Sequence, residues 1–205
     1  MISSEQAARV LVLVMAAGFS RRFGTADKRH AIMADGRTLL ATTLAQLRST
    51  VSTASYQVAV VIRPEDDATV LGIPADLPVL HAPSAAQGLG ASIADAVRAV
   101  QADPKLSDVD SLAIMLGDMP GIQTDTFSNL ISAGCRSQIV RPRYQGMPGH
   151  PVLFGRDFWP SLIHLNGDEG ARTVIRENSD SLLYIDLEDS GVIADIDTPE
   201  QLVQQ

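Results

Sequence analysis

Cysteine is all but missing. Cys135 stands alone among 205 residues, which excludes an internal disulfide and any Cys-x-x-Cys metal or redox pair. In "LISAGCRSQ" it reads as a small buried hydrophobe and not as a nucleophile, and the shortage of thiols makes a cytoplasmic address the expectation. Long apolar runs are missing too. The longest uncharged one, Val10 to Ala17, falls far short of the ~20 residues a membrane-spanning helix needs. As a secretory leader it has the wrong charge order, with Glu5 and Arg9 ahead of it and Arg21 and Arg22 behind it. Repeats, low-complexity tracts and linkers do not occur, so one domain over residues 1–205 is expected. Positive charge is in deficit: 16 Lys and Arg against 24 Asp and Glu give a net charge of −8. That balance argues against nucleic acid or an anionic membrane as a partner.

Short apolar, β-branched segments closed by Gly or Pro do occur, at "RVLVLVMAAG", "YQVAVVIRP", "DLPVLHAP" and "SLAIMLGDMP". They read as fully buried strands. Between them, "TLLATTLAQLRS" has good helix formers, and Leu89, Ile93, Val97 and Val100 mark one apolar helix face. Strand and helix alternating at this pitch predict crossover units, hence an α/β fold with a mostly parallel central sheet and helices on both faces. After Gly117 the pattern loosens. "TDTFSNLISAG" predicts a helix begun by a Thr or Asp cap, "SQIVRPRYQGMPGHPVLFG" two strands joined by a Gly and Pro turn, and "GDEGARTVIRENS" a capped helix. Antiparallel elements are therefore expected in the second half. In "IADIDTPEQLVQQ", Thr198 as cap, Pro199 and Gln201 announce a last helix.

The basic residues are few but not scattered. Arg21, Arg22, Lys28, Arg29 and Arg37 fall within seventeen positions, directly after the first predicted strand. Ligands of parallel α/β sheets bind beyond the carboxyl ends of the strands. Glycines there let backbone N–H groups approach an anion, and Arg22 and Lys28 can meet the oxygens those amides leave over. "MAAGFSRRFG" thus reads as a phosphate cradle, with a solvated basic loop as the plain alternative. It is neither Gly-x-Gly-x-x-Gly nor a Walker loop, because Gly18 and Gly24 are separated by five residues.

The run is similar instead to the "AAGxSxRxG…K" signature of nucleotidyltransferases that activate small phosphorylated molecules. It departs in one place, since Lys28 lies four residues after Gly24 where three is commonest, and "DKR" fits a variant form. A nucleoside triphosphate brings about four negative charges, and a divalent metal is the usual answer to them. Mg²⁺ asks for one or two carboxylates. Asp118 in "IMLGDMP" directly follows a predicted strand at the right edge; its alternative reading is a turn residue before Met-Pro. Asp197 is a second metal candidate or, alternatively, helps start the closing helix. Asp195, two residues before it, would point the same way on a strand and reads as structural.

"GLGASI", "GHPVLF", "GDEGAR" and "DIDTP" follow in that order. Together with the opening loop they make most of residues 11–202 resemble the molybdenum cofactor cytidylyltransferases. The resemblance implies a Rossmann-like nucleotidyltransferase fold, Mg²⁺ dependence, and transfer of CMP from CTP to molybdenum-loaded molybdopterin. It further implies that Ala16, Ala17 and Gly18 line the nucleotide, with Gly88 and Ser92 near the base. Arg22 and Lys28 would hold the triphosphate, and Asp118 the metal, joined by Asp197. His150, with Asp168 and Arg172, would face the acceptor; taken alone, His150 reads equally well as a turn histidine. Residues 1–120 become the nucleotide-binding half and 121–205 the acceptor-binding half. Transient contact with an apo molybdoenzyme or its insertion chaperone is a further expectation. Three rivals remain: a guanylyltransferase, whose relatives usually carry Ala-Gly-Gly at positions 16–18; a sugar or polyol phosphate nucleotidyltransferase; and a non-catalytic nucleotide-binding carrier.

Overall fold

The computed structural model describes residues 9–20, 23, 27–50, 56–198 and 201–202. The four apolar segments of the first half form β1 (Val10–Met15), β2 (Tyr56–Ile62), β3 (Val79–His81) and β4 (Ser111–Leu116). They lie parallel in the order β3-β2-β1-β4. The crossovers carry α1 (Leu39–Thr50) and α2 (Leu89–Ala102). β1 reads as a continuous apolar run because both its faces are covered. Leu11, Leu13 and Met15 meet Ile93, Val97 and Val100 of α2, while Val10, Val12 and Val14 meet Leu40 and Leu44 of α1 on the other side. Full burial of each such side chain is worth about 1.5–3 kcal/mol, so the centre of the sheet is the rigid frame from which loops project.

The second half adds α3 (Thr124–Ser132), β5 (Ile139–Tyr144), β6 (Met147–Pro148), β7 (Val152–Gly155), α4 (Trp159–Leu162), α5 (Arg172–Glu177) and β8 (Leu182–Asp186). β7 enters the sheet between β4 and β5 and runs antiparallel to both; β8 pairs with β5 in parallel. The fold class is the expected one, an α/β sheet that is mostly parallel with antiparallel elements in its second half. Details differ. "SQIVRPRYQGMPGHPVLFG" makes three strands: a β5–β6 hairpin, turned at Gln145 and Gly146 with φ of 49° and 80°, and then β7. Two positive φ values in a two-residue turn match the twist of the flanking strands. β8 was not foreseen, because its exposed and half-buried edge residues "LLYID" show no alternation. α3 has Gln123 at its cap, held by a 2.9 Å bond from its N–H to Asp189, and neither Thr nor Asp caps it. α5 is six residues long and has no side-chain cap. Cys135 is half-buried, not buried. Among the described residues no helix is long and apolar enough to cross a membrane.

Candidate nucleotide and metal site

β1 and β4 end side by side, and the chain leaving them lines a cleft of about 540 Å³ at the carboxyl edge of the sheet. Ala16, Ala17 and Gly18 form one wall; Gly88, Ser92 and Asp168 form another; Lys28, Asp118 and Asp197 close the end. The Ala16 N–H donates to Val61 at 2.8 Å and the Gly117 N–H to Met15 at 3.0 Å, which fixes the loop to both strands beneath it. A Cβ on Gly18 would meet nothing of the protein within 4 Å. The fold itself does not require glycine there, and its lack of a side chain leaves the backbone open to a ligand. Gly88 is different. Its φ is +114°, and a Cβ would lie 2.4 Å from an Asp168 oxygen and 2.5 Å from the Gly167 carbonyl carbon. Glycine is what lets the loop of residues 166–168 close on the start of α2, where Gly90 donates to Gly167 at 2.8 Å. Ser92 donates to the Gly88 carbonyl at 3.1 Å, fixing the same wall.

Asp118, Asp195 and Asp197 each offer a carboxylate oxygen, and these oxygens lie within 4.8 Å of one another. No strand carries Asp195 and Asp197; residues 194–198 are irregular, and their backbone is anchored at Asp118, whose carbonyl accepts from Ile196 at 3.1 Å. Asp195, read from the sequence as structural, thus joins the cluster. Gln201 accepts from the N–H groups of Asp197 at 2.6 Å and Thr198 at 2.9 Å, the reach-back of a capping box. The Lys28 ammonium sits in the middle, ion-paired with Asp118 and, at 2.9 Å, with Asp197. Burial raises the pKa of Asp118, and Asp195 adds to that, against the pull of Lys28. Burial opposes the charge of Lys28, but Asp118 and Asp197 outweigh it and hold its pKa above the ordinary value. One ammonium beside three carboxylates leaves the cluster short of positive charge. Asp118 Oδ1 is buried and has no hydrogen-bond partner among the described residues. An all-oxygen donor set with one buried oxygen unused suits a hard divalent cation such as Mg²⁺ or Mn²⁺.

The rest of the basic cluster has other work. Arg29 is buried; its guanidinium donates to the Ala16 carbonyl at 2.8 Å and to Asp27 at 2.9 Å and Asp66 at 2.6 Å. Arg63 joins the same two carboxylates at 3.2 and 2.7 Å and lies 4.9 Å over the Phe19 ring. The network ties the backbone after β1 to the chain after β2. Arg37 is an exposed partner of Asp35 at 3.6 Å. Arg22, with Arg21 and Gly24, lies outside the described residues.

Of the residues expected to face the acceptor, Asp168 lines the cleft, while His150 and Arg172 are not among its lining residues. His150 follows the β6 hairpin; its N–H donates to Val192 at 2.7 Å and its Nδ1 lies 3.5 Å from the Ile114 carbonyl of β4. Burial pushes its imidazole below the ordinary 6.5, with Arg141 and Arg172 acting the same way and Ile114 and Asp195 opposing. His150 is therefore neutral at pH 7, and it stands within electrostatic reach of the acidic cluster.

These features have counterparts in known proteins. The chain is 28% identical over 128 residues to the molybdenum cofactor cytidylyltransferase of Escherichia coli (strain K12), covering 62% of each chain. It is 30% identical over 118 residues to the purine catabolism protein PucB of Bacillus subtilis (strain 168), covering 57% of this chain and 55% of that one. The chain thus spans about three fifths of the length of these curated relatives. The crystal structure of a homolog of Mycobacterium tuberculosis Rv0371c from Mycobacterium sp. strain JC1 superposes with a TM-score of 0.78 at 30% identity, over 95% of this chain and 96% of that one. Residues 12–182 match the MobA-like NTP transferase domain, from within β1 to the first residue of β8. The match extends over most of the sequence, and the chain belongs to the MobA-like NTP transferase family.

Proposed function

We propose that this nucleotidyltransferase uses Mg²⁺ to transfer CMP from CTP to the phosphate of molybdenum-loaded molybdopterin, releasing pyrophosphate. The observation that carries the reading is the cluster of Asp118, Asp195 and Asp197, with Lys28 paired to Asp118 and Asp197, at the cleft that the Ala16–Gly18 loop lines. The cytidylyltransferase relative and the Ala-Ala-Gly loop support CTP over GTP. In this reading residues 1–120 are the nucleotide-binding half. Residues 121–205 form the acceptor half, which also sends Asp168 and Asp197 into the first half's cleft.

An oxygen of the acceptor phosphate attacks the α-phosphorus. The new P–O bond forms as the bond to the β-phosphate oxygen breaks, and pyrophosphate leaves with the electron pair. The attacking oxygen is already ionised near neutral pH, so no general base is needed. Asp118, Asp195 and Asp197 would hold the metal, which supplies charge neutralisation at the phosphates. The protein's own residues position the reactants and stabilise charge. The loop amides after Ala16 approach the phosphates, Gly88 and Ser92 shape the wall for the base, and Lys28, with Arg22, meets the departing pyrophosphate. For Lys28 this means leaving the carboxylates it holds in the ligand-free protein.

The 30% identity to the purine catabolism protein favours one second reading, the same transfer with a different phosphorylated acceptor. Pyrophosphate release measured with each of the four nucleoside triphosphates, with and without molybdenum-loaded molybdopterin, separates the two. Release with CTP and the pterin alone is the expected result. Release that needs another acceptor supports the second reading, and a nucleotide-dependent thermal shift without any turnover supports a carrier.

A further inference from the structure

Phe19 is out of keeping with the stretch it follows. Residues 10–17 are all buried, yet this phenylalanine, two residues on, is 43% exposed and lines the cleft. An isolated apolar side chain at a surface needs no explanation. Phe19 differs in being held. The Arg63 guanidinium lies 4.9 Å from its ring centre, within the range of a cation–π contact. That guanidinium is itself fixed, since it donates to Asp66 at 2.7 Å and to Asp27 at 3.2 Å. The chain after the ring is pinned as well. Ser20 takes a φ of 50°, uncommon for a residue with a side chain, and its hydroxyl accepts from the Lys28 N–H at 3.2 Å and donates to Asp27 at 3.4 Å. An ion network and a left-handed turn thus fix one apolar ring at the wall of a cleft. One face of the ring rests on a guanidinium, and among the described residues no other aromatic ring meets it.

Strand order says which part of a ligand the ring faces. β1 lies between β2 and β4. Asp118, paired with Lys28, comes just after β4, so a triphosphate and its metal belong on the β4 side of the cleft. Arg63 directly follows β2, while the turn Ala85–Gln87 and the start of α2, which continue the cleft wall, follow β3. The contact with Arg63 therefore draws Phe19 to the side away from the carboxylates. A nucleotide whose phosphates reach Lys28 and Asp118 carries its base to that side.

Resting on the nucleotidyltransferase reading, we propose that the open part of the Phe19 ring stacks on the nucleobase of the bound triphosphate, with Arg63 backing the ring. Every base has a π-face, and stacking on an aromatic side chain tolerates base identity. Phe19 accordingly supplies affinity for a nucleoside over bare triphosphate, and other residues choose among the bases.

Isothermal titration of CTP, GTP and inorganic tripolyphosphate, each with Mg²⁺, into the full chain tests this. Phe19→Ala should weaken CTP and GTP roughly five- to hundredfold and leave tripolyphosphate unchanged. Phe19→Leu, which keeps apolar bulk without a π-face, should lose most of the same affinity, and Phe19→Trp should keep it. Because the one native tryptophan, Trp159, is buried, quenching that appears on CTP addition only in Phe19→Trp reports stacking at position 19. Equal losses for CTP and tripolyphosphate would mean a general distortion of the loop and overturn the proposal. Unchanged affinity for CTP, or a change confined to KM for the acceptor, overturns it too. Phe19-dependent CTP binding in a protein that does not use molybdopterin leaves the stacking standing and removes the acceptor reading. Turnover with CTP and molybdopterin at a KM for CTP indifferent to Phe19 does the reverse.

Discussion

Replacing Lys28 with methionine keeps the length of the side chain and removes the charge that pairs with Asp118 and Asp197. Asp118 and Asp197 are only 14% and 19% exposed, so water does not replace the ammonium freely. Removing one partner of a buried ion pair costs about 3–5 kcal/mol, and the site opens onto a solvent cleft, which brings the expected loss to about 2–3 kcal/mol. A ceiling comes from protonation. Neutralising a carboxyl of ordinary pKa 3.8 at pH 7 costs about 4 kcal/mol at ~1.4 kcal/mol per unit, and Asp118 starts above that value. For a chain of this length the loss lowers Tm by roughly 5–10 °C. The same strain is released when a divalent cation takes the place of the ammonium. Without nucleotide, Lys28→Met should therefore bind Mn²⁺ roughly 30- to 100-fold more tightly than wild type, read from the free-Mn²⁺ signal in electron paramagnetic resonance. On the proposed function, catalysis should still fall by orders of magnitude, since Lys28 is there assigned to the triphosphate. An unchanged Tm together with Mn²⁺ affinity equal to wild type would refute the idea that Lys28 occupies the cation's position.

Other substitutions separate the walls of the site from its supports. Gly88→Ala, at φ +114° and with its new Cβ 2.4 Å from Asp168, should cost about 1–3 kcal/mol in backbone strain alone and abolish the nucleotide-induced thermal shift; a normal shift would show that this wall does not touch the nucleotide. Arg29→Met leaves Asp27 and Asp66 to Arg63 alone and should cost about 2–3 kcal/mol in urea unfolding, whereas Arg37→Ala, on the exposed pair with Asp35, should stay within about 0.5 kcal/mol. His150 has a depressed pKa in the folded state, so its contribution to stability is complete above 6.5 and is lost as pH falls through its lower folded value. His150→Gln should flatten the stability profile over that acidic window, and an unaltered slope would assign the titration to other groups.

Local pattern carried a good part of this fold. β1 to β4, α1 and α2 were legible because each is a run whose period and closure depend only on its own residues. Pairing was not. That β7 inserts between β4 and β5 depends on partners far apart in the chain, and nothing within "GHPVLF" names them. β8 escaped because an edge strand with exposed positions need not be apolar. In the site, Asp118 and Asp197 were visible from their place after a strand and before a helix start. Asp195 was read as structural, and an irregular backbone, not the strand that would have turned it the same way as Asp197, brings it to the cluster. Arg29 counted only as one of five clustered basic residues, and its partners, Asp27 and Asp66, are decided by the fold.

The central position of β1 also bears on how the protein is made. Its six residues "VLVLVM" are wholly buried between neighbours that begin at Tyr56 and Ser111. On the ribosome the second neighbour arrives about a hundred residues later, which at 5–20 residues per second is roughly 5–20 s. Through that interval one edge of a flat, uncharged, β-branched strand has no partner of its own. Slow synthesis or high expression should therefore send this chain into aggregates through its first strand, and a chaperone that shields β1 until β4 emerges should raise the yield of folded protein.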